Sequence, residues 1–418
     1  MPGRDDREFD VILWGATGFV GRLTAEYFAE KYADSQVRWA IAGRSLEKLE
    51  ALRAGLSRGI PKLEDLPLIV GDCFDEESLH AMAARTRVMC TTVGPYAQYG
   101  DALVAACIEE QTHYCDLTGE VHWVRRMVDA HHEEARKKGV RITHCCGFDS
   151  IPSDIGTLLV QDHARRTYGA PCDRIKLVVW KLSGGLSGGT LASMSGLMEE
   201  MGRDREVRRI VGNPYALNPE GERSGPDKSF QQGVRFDDDI GIWTGPFVMA
   251  SVNEAIVRRS NAILGYPYGR DFRYQESMRF GKGARGAVSA GGFAVGLGGF
   301  AAAMSLGPTR KFLEKFVLPS PGEGPSRESI EKGHFVMRLF GRGTSPGGEP
   351  FEVRAEVAAD KDPGYGATAI MLGESALSLA SDEIDSPLEG GILTPASAMG
   401  MTLVKRLRQA GMRLEVSS

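Results

Sequence analysis

From Phe9 to about Cys146 short apolar runs alternate with amphipathic stretches. The runs Phe9–Trp14, Val37–Ala42, Leu66–Val70, Val88–Thr92, His113–Leu117 and Val140–His144 predict strands. Helical periodicity fills the intervals at Phe19–Ala33, Ser45–Leu56, Glu76–Arg85, Asp101–Glu110 and Val121–Lys138. Strict strand and helix alternation is the signature of a parallel sheet with crossover helices, so an α/β, doubly wound Rossmann domain is expected over residues 1–153.

Beyond Asp149 the rhythm changes. Longer strand-like runs, Arg174–Leu182, Arg273–Phe280, Phe335–Phe340 and Phe351–Ala359, are separated by Gly- and Pro-rich loops. They predict a second, α+β domain on a mostly antiparallel sheet, residues 154–364. Asn213–Gly233 and Leu318–Ser326 read as surface loops. Thr368–Leu379 and Pro395–Ala410 read as helices, and residues 365–410 are expected to pack back on the first domain. Two domains suit 418 residues, since a single core stops growing at roughly 250–300.

One segment breaks both patterns. Gly286–Leu306 (residues 286–306) is uncharged, holds six Gly and six Ala, and is flanked by Lys282 and Arg285 before and Arg310 and Lys311 after. It is long enough to span a bilayer, yet its small residues make it weakly apolar. Core helix or substrate channel, interfacial contact with anionic lipid, and spanning helix all stay open.

Composition narrows the class. Hydrophobic residues are 42% and charged residues 25% of the chain, the balance of a globular protein. A net charge of −5 supplies no basic field for phosphate backbones, so no nucleic-acid partner is expected. Met1–Asp10 carries no apolar stretch of the secretory kind, which predicts a cytoplasmic protein, peripheral at the inner membrane face if the apolar segment meets lipid. The seven cysteines, all between Cys73 and Cys172, do not fall at disulfide-framework spacings and are read as buried thiols. No metal site is expected.

The chemistry concentrates on the glycine turn. Val11–Trp14 is followed by Gly15-Ala16-Thr17-Gly18-Phe19-Val20-Gly21 and an amphipathic helix. In such a turn the first glycine permits the bend, the second admits the pyrophosphate to backbone amides, and the third lets the helix pack on the strand. Cofactor choice is read at the end of the second strand, where Ala42-Gly43-Arg44-Ser45 offers a cation and a hydroxyl for a 2′-phosphate and no acid for ribose hydroxyls, favouring NADP(H). Asp72 ends the third strand, placed either to meet the adenine amino group or to cap the next helix. Thr92-Val93-Gly94 and Tyr96 follow the fourth strand, on the edge where open α/β sheets bind ligands, and Thr118-Gly119-Glu120 follow the fifth.

These motifs resemble the saccharopine dehydrogenase-like oxidoreductases, and especially their trans-acting enoyl reductase branch. The matching pieces are Gly15–Gly21, Ala42–Arg44, Val93–Tyr96 with Tyr99-Gly100, Tyr114–Glu120, Cys146–Asp154, Gly364–Ala369 and Gly390–Ala396. The resemblance implies an NADPH-dependent reduction of a carbon–carbon double bond in a carrier-bound, long-chain polyketide or fatty-acyl intermediate of phthiocerol-type lipid assembly. A polyketide synthase carrier domain would then be the partner, and the protein could form oligomers.

Such a reduction needs a proton source beside the hydride acceptor. Tyr96, Asp149 and Ser150 are the candidates by position, each with a plainer alternative as pocket wall or helix-terminal group. His113 and His144 are read as core histidines. Two other functions compete: an amino-acid dehydrogenase of the saccharopine type, which would use Arg258, Arg259 or Arg279 to hold carboxylates, and a non-enzymatic NADP-binding scaffold on lipid.

Overall fold

The computed structural model describes residues 6–184, 188–316 and 324–418. The chain divides into two compact units, residues 1–151 with 364–411, and residues 152–363 with 412–418.

The first unit is built on a seven-stranded sheet. Its first six strands are β1 (Phe9–Trp14), β2 (Trp39–Gly43), β3 (Leu68–Val70), β4 (Thr86–Thr91), β5 (His113–Cys115) and β6 (Arg141–Thr143), and Gly391–Leu393 is the seventh. Their spatial order from one edge is β3, β2, β1, β4, β5, β6 and Gly391–Leu393, every pairing parallel. The order reverses between β1 and β4, so the carboxyl ends of these two strands open the crevice where such sheets take their ligands. β1 and β2 are buried at almost every position, as strands covered on both faces must be. The seventh strand was not expected: three residues are too few to show a period.

The helices Thr368–Leu379 and Pro395–Gln409 belong to this unit, the first buried along its whole length. A polar knot fixes them. Glu374 accepts from Tyr27, from Tyr32 at 2.5 Å and from Arg406 Nε at 2.8 Å, so the helix Phe19–Tyr32 behind the glycine turn is tied to both.

The second unit carries a mixed seven-stranded sheet of β7 (Arg174–Ser183), β8 (Arg235–Asp237), β9 (Ile242–Gly245), β10 (Arg273–Gly281), β11 (His334–Thr344), β12 (Pro350–Ala359) and the terminal strand Arg413–Ser417. One pairing, β7 with β10, is parallel and the rest are antiparallel. β11 alternates buried and half-buried positions, so one face of the sheet packs on a core and the other does not.

The helix Ile151–Tyr168 follows Ser150 directly, and in it Asp154 accepts from Ser260 Oγ at 2.5 Å. Several local expectations change. The stretch 213–233 is no simple surface loop, because Tyr215, Ala216, Leu217 and Asn218 are buried. Of Leu318–Ser326, residues 318–323 lie outside the described residues. The apolar segment forms the helix Gly283–Ser305, and only 11% of its most apolar window is buried, which rules out a core helix.

Candidate functional site

The glycine turn is shaped by what a side chain would strike. Gly15 has φ +85°, and a Cβ there would lie 2.7 Å from Val93 Cγ2 and 2.8 Å from Thr92 Oγ1. A Cβ on Gly21 would come within 2.1 Å of Gly15 O, so the helix presses onto the turn as closely as backbone allows. Gly18 is the N-cap of the helix Phe19–Tyr32, offers no side-chain acceptor, and no acid occupies the first turn. The amides at this end and the helix dipole therefore face outward without an internal anion, which fits a diphosphate. Thr92 Oγ1 donates to Gly15 O at 3.1 Å and Thr92 N to Trp14 O at 2.9 Å, so Thr92 braces the turn.

Around the turn, the residues of the cofactor reading collect at the same carboxyl edge. Arg44, directly after β2, is exposed, and among the described residues it forms no ion pair. Ser45 caps the next helix by accepting from Lys48 N at 3.3 Å, leaving its hydroxyl proton free to donate. Asp72 does not cap the helix after β3: Asp75 does, accepting from Glu77 N and Ser78 N. Asp72 closes a turn by accepting from Phe74 N at 2.9 Å, and its carboxylate stays exposed. Beside it Phe74, 74% exposed, meets Tyr99 edge-on at 5.7 Å, an apolar pair on the surface that sequence reasoning passed over. Inward, Phe19 meets the buried Tyr365 edge-on at 4.9 Å.

Two buried carboxylates set the loops after β4 and β5. Glu120 accepts from Tyr96 N at 3.0 Å and Ala97 N at 2.8 Å, so it caps the short helix Tyr96–Tyr99 rather than its own. Asp116 is fully buried and accepts from Tyr114 Oη at 2.9 Å, Thr118 N at 3.1 Å and Cys145 N at 3.1 Å, with His144 Nδ1 at 2.6 Å. Thr118 Oγ1 accepts from Glu120 N at 3.1 Å across Gly119. Asp116 therefore holds the loops after β5 and β6 together. A buried Asp at the end of an apolar strand was the signal available in the sequence, and it was not taken up. His113 and His144 are both core residues; His113 Nδ1 accepts from Arg141 N at 3.0 Å.

The three proton-source candidates separate here. Tyr96 is buried with its hydroxyl donating to Thr91 O at 3.2 Å and accepting from Leu117 N at 3.4 Å. It stacks on Trp123 at 5.6 Å, and burial, aided by Asp116, holds its acidity well weaker than an ordinary phenol. Ser150 is fully buried against the Cys145 thiol. Asp149 alone is only half-buried, and desolvation, followed by the charge of Asp116, pushes its carboxyl up to about 7. The seven cysteines are buried and free.

Fold and cradle together define an NADP-binding oxidoreductase of the saccharopine dehydrogenase class: residues 11–143 match the saccharopine dehydrogenase NADP binding domain. Saccharopine dehydrogenase (L-Glu forming) of Saccharomyces cerevisiae shares the fold, with a TM-score of 0.54 at 11% identity over 98% of this chain and 99% of that one. The trans-acting enoyl reductase of Mycobacterium bovis (strain BCG / Pasteur 1173P2) is 40% identical over 419 residues, covering 97% of each chain. That of Mycobacterium leprae (strain TN) is 39% identical over 424 residues with the same coverage. The chain belongs to the family of trans-acting enoyl reductases.

The cations wanted by an amino-acid dehydrogenase are otherwise engaged. Arg258 is buried on Asp227 at 2.9 Å and Glu254 at 2.9 Å, Arg259 is buried on Leu217 O, and Arg279 stacks over Trp180 at 4.4 Å.

Proposed function

We propose that the protein reduces the double bond of an α,β-unsaturated acyl thioester held on a carrier domain, in the assembly of long-chain polyketide lipids. The observation that carries this reading is the similarity, over nearly the whole chain, to trans-acting enoyl reductases. In that reaction NADPH supplies hydride to the carbon β to the thioester carbonyl, and the α carbon then needs a proton.

The chain's own residues divide the remaining work. Gly15, Ala16, Thr17, Gly18, Phe19, Val20 and Gly21 form the diphosphate cradle, and Arg44 with Ser45 meets the 2′-phosphate. Asp72 and the Phe74–Tyr99 pair border the adenine. Val93 and Gly94, held by Thr92, bring backbone close to the nicotinamide ribose. Glu120, Thr118 and Gly119 fix that loop, and Tyr96, its hydroxyl already committed to Thr91 and Leu117, is a positioning residue. Asp149 holds the proton: a carboxyl with a pKa about 7 is charged and uncharged in comparable amounts near neutrality, as a general acid requires.

Fluorescence titration of NADPH and NADH, followed by NADPH oxidation with a medium-chain enoyl thioester, tests the reading in wild type and Arg44→Ala. Expected are tight NADPH binding, turnover, and about tenfold weaker NADPH binding in the variant, the loss of one charge-assisted phosphate contact. Binding without turnover of any enoyl thioester favours the scaffold, and a preference for NADH refutes the role of Arg44.

We infer also that the helix Gly283–Ser305 rests on an anionic membrane face in the cytoplasm. Val288 and Val295, 76% and 77% exposed, stand seven residues apart on one side of the helix, and Lys282 and Arg285 are exposed at its start. Flotation with phosphatidylglycerol vesicles should be lost in Val288→Asp/Val295→Asp; flotation equal to wild type refutes the contact.

A further inference from the structure

The unpacked side of the second unit carries charge that the fold does not use. A groove of about 440 Å³ is lined by Arg174, Lys176, Lys228, Arg235 and Arg273, with Asp227 the one carboxylate among its lining residues. Asp227 is already held by Arg258 Nε at 3.2 Å and Nη2 at 2.9 Å. Lys176 is likewise engaged, by Asp237 at 2.8 Å and Asp239 at 2.5 Å. Arg174, Lys228, Arg235 and Arg273 remain, all exposed, and among the described residues none of the four is in an ion pair.

The strand register makes this arrangement costly. Arg174 on β7 lies directly between Arg273 on β10 and Arg342 on β11. Like charges opposite one another weaken strand pairing, where threonine or valine would strengthen it. Arg342 is relieved by Asp239 and Glu352. Arg174 and Arg273 face each other with no carboxylate of their own in contact, although Asp239 feels the field of Arg174. Cations kept side by side against the interest of the sheet, on the walls of one concavity, mark a surface completed by an acidic ligand.

We propose that this groove docks the acidic face of the carrier domain that presents the acyl substrate; the proposal rests on the carrier-bound reading above. The four cations are exposed and spread over three strands and the loop at 226–229, with no buried donor among them. That layout suits a broad acidic protein surface steered by a field more than a small anion gripped by converging donors. A lipid bilayer is flat, and these cations line a hollow.

The test uses the full chain saturated with NADPH and the double variant Arg174→Gln/Arg273→Gln. Two substrates are compared: a free-standing bacterial acyl carrier protein charged with a crotonyl group, and crotonyl N-acetylcysteamine, which has neither carrier nor phosphate. At low ionic strength kcat/KM for the carrier-bound substrate is expected to fall about tenfold, the scale of lost electrostatic steering. The difference should vanish at about 0.5 M salt, where the screening length is a few ångströms. The small thioester should react at the wild-type rate, and Tm should hold or rise because a like-charge contact is gone.

Equal losses on both substrates, or no loss on the carrier, overturn the proposal. If neither substrate is reduced, the enzymatic reading fails, and surface plasmon resonance of the crotonyl carrier decides the docking separately. Carrier binding by wild type that weakens in the variant supports the groove. Equal binding by both proteins, or a loss confined to phosphatidylglycerol vesicles, overturns it.

Discussion

Both units bury carboxylates, and those at the crevice of the first are satisfied differently from those beneath β10 in the second, while Glu374, away from the crevice, is met by side chains. In the first unit Glu120 and Asp116 accept mainly from backbone amides of neighbouring loops, so their charge fixes the path of the chain around the crevice. In the second, Glu276 and Glu254 lie between the helix Ala250–Ile263 and β10 and are matched largely by side chains. Tyr274 Oη donates to Glu276 at 2.6 Å, Asn253 donates to it at 2.8 Å, and Arg258 donates to Glu254 at 2.9 Å. Asp149 and Glu276 sharpen the contrast. Burial pushes each up to about 7, but Glu276 is fully enclosed among donors while Asp149 is only half-buried. On the reading proposed above, the same displaced acidity is structural at Glu276 and serves proton transfer at Asp149.

The largest expected effect breaks that pair apart. Asp149→Asn should lower kcat/KM by about 10²–10⁴ while leaving NADPH affinity unchanged, the usual cost of removing a general acid. In wild type kcat/KM should fall as pH rises through about 7, where Asp149 loses its proton. That limb should be absent in Asp149→Asn and intact in Glu276→Gln. Stability behaves alike for both. A carboxyl whose folded pKa lies above its unfolded value binds the extra proton in the native state, so stability declines as pH rises from about 4 to about 7, and each amide variant removes its own share of the slope. A pH limb lost in both variants, or in neither, would remove the functional distinction between them.

Next comes the buried ion pair that Arg258 makes with Glu254 and Asp227. Arg258→Met leaves Glu254 and Asp227 buried or half-buried without their cation, and breaking such a pair costs about 3–5 kcal/mol. Urea unfolding should show that loss in the transition assigned to the second unit, with NADPH binding by the first retained in mild conditions. A loss of NADPH affinity at temperatures where the protein is folded would contradict the assignment of cofactor binding to the first unit alone.

What could be read from the chain followed periodicity. The first strand and the helix Thr368–Leu379 stand where their apolar patterns end, and the glycine turn declared itself because each glycine answers a separate steric demand. Three-residue strands such as Gly391–Leu393 and Arg235–Asp237 carry no period and were invisible. The candidate site was legible as a set of loop positions, since the carboxyl ends of parallel strands share one edge. Roles within it were not. Whether Tyr96 or Asp149 holds a usable proton depends on the direction of a hydroxyl and the nearness of Asp116, and both are products of packing. Nor could Arg174 and Arg273 be paired by eye, being 99 residues apart until the register aligns them.

Ser150 offers the smallest effect and a fine test of the same division. It follows Asp149 directly, yet its side chain is fully buried and lies against Cys145, itself a thiol whose acidity burial has weakened. A hydroxyl so placed contributes one modest hydrogen bond, about 1 kcal/mol, and no group for a substrate to reach. Ser150→Ala should therefore lower stability by that amount, leave kcat/KM within about twofold, and preserve the pH limb assigned to Asp149. A large fall in kcat with Tm unchanged would mean that Ser150 reaches the reacting atoms, and proton delivery would then have to be shared by the two adjacent residues rather than carried by Asp149.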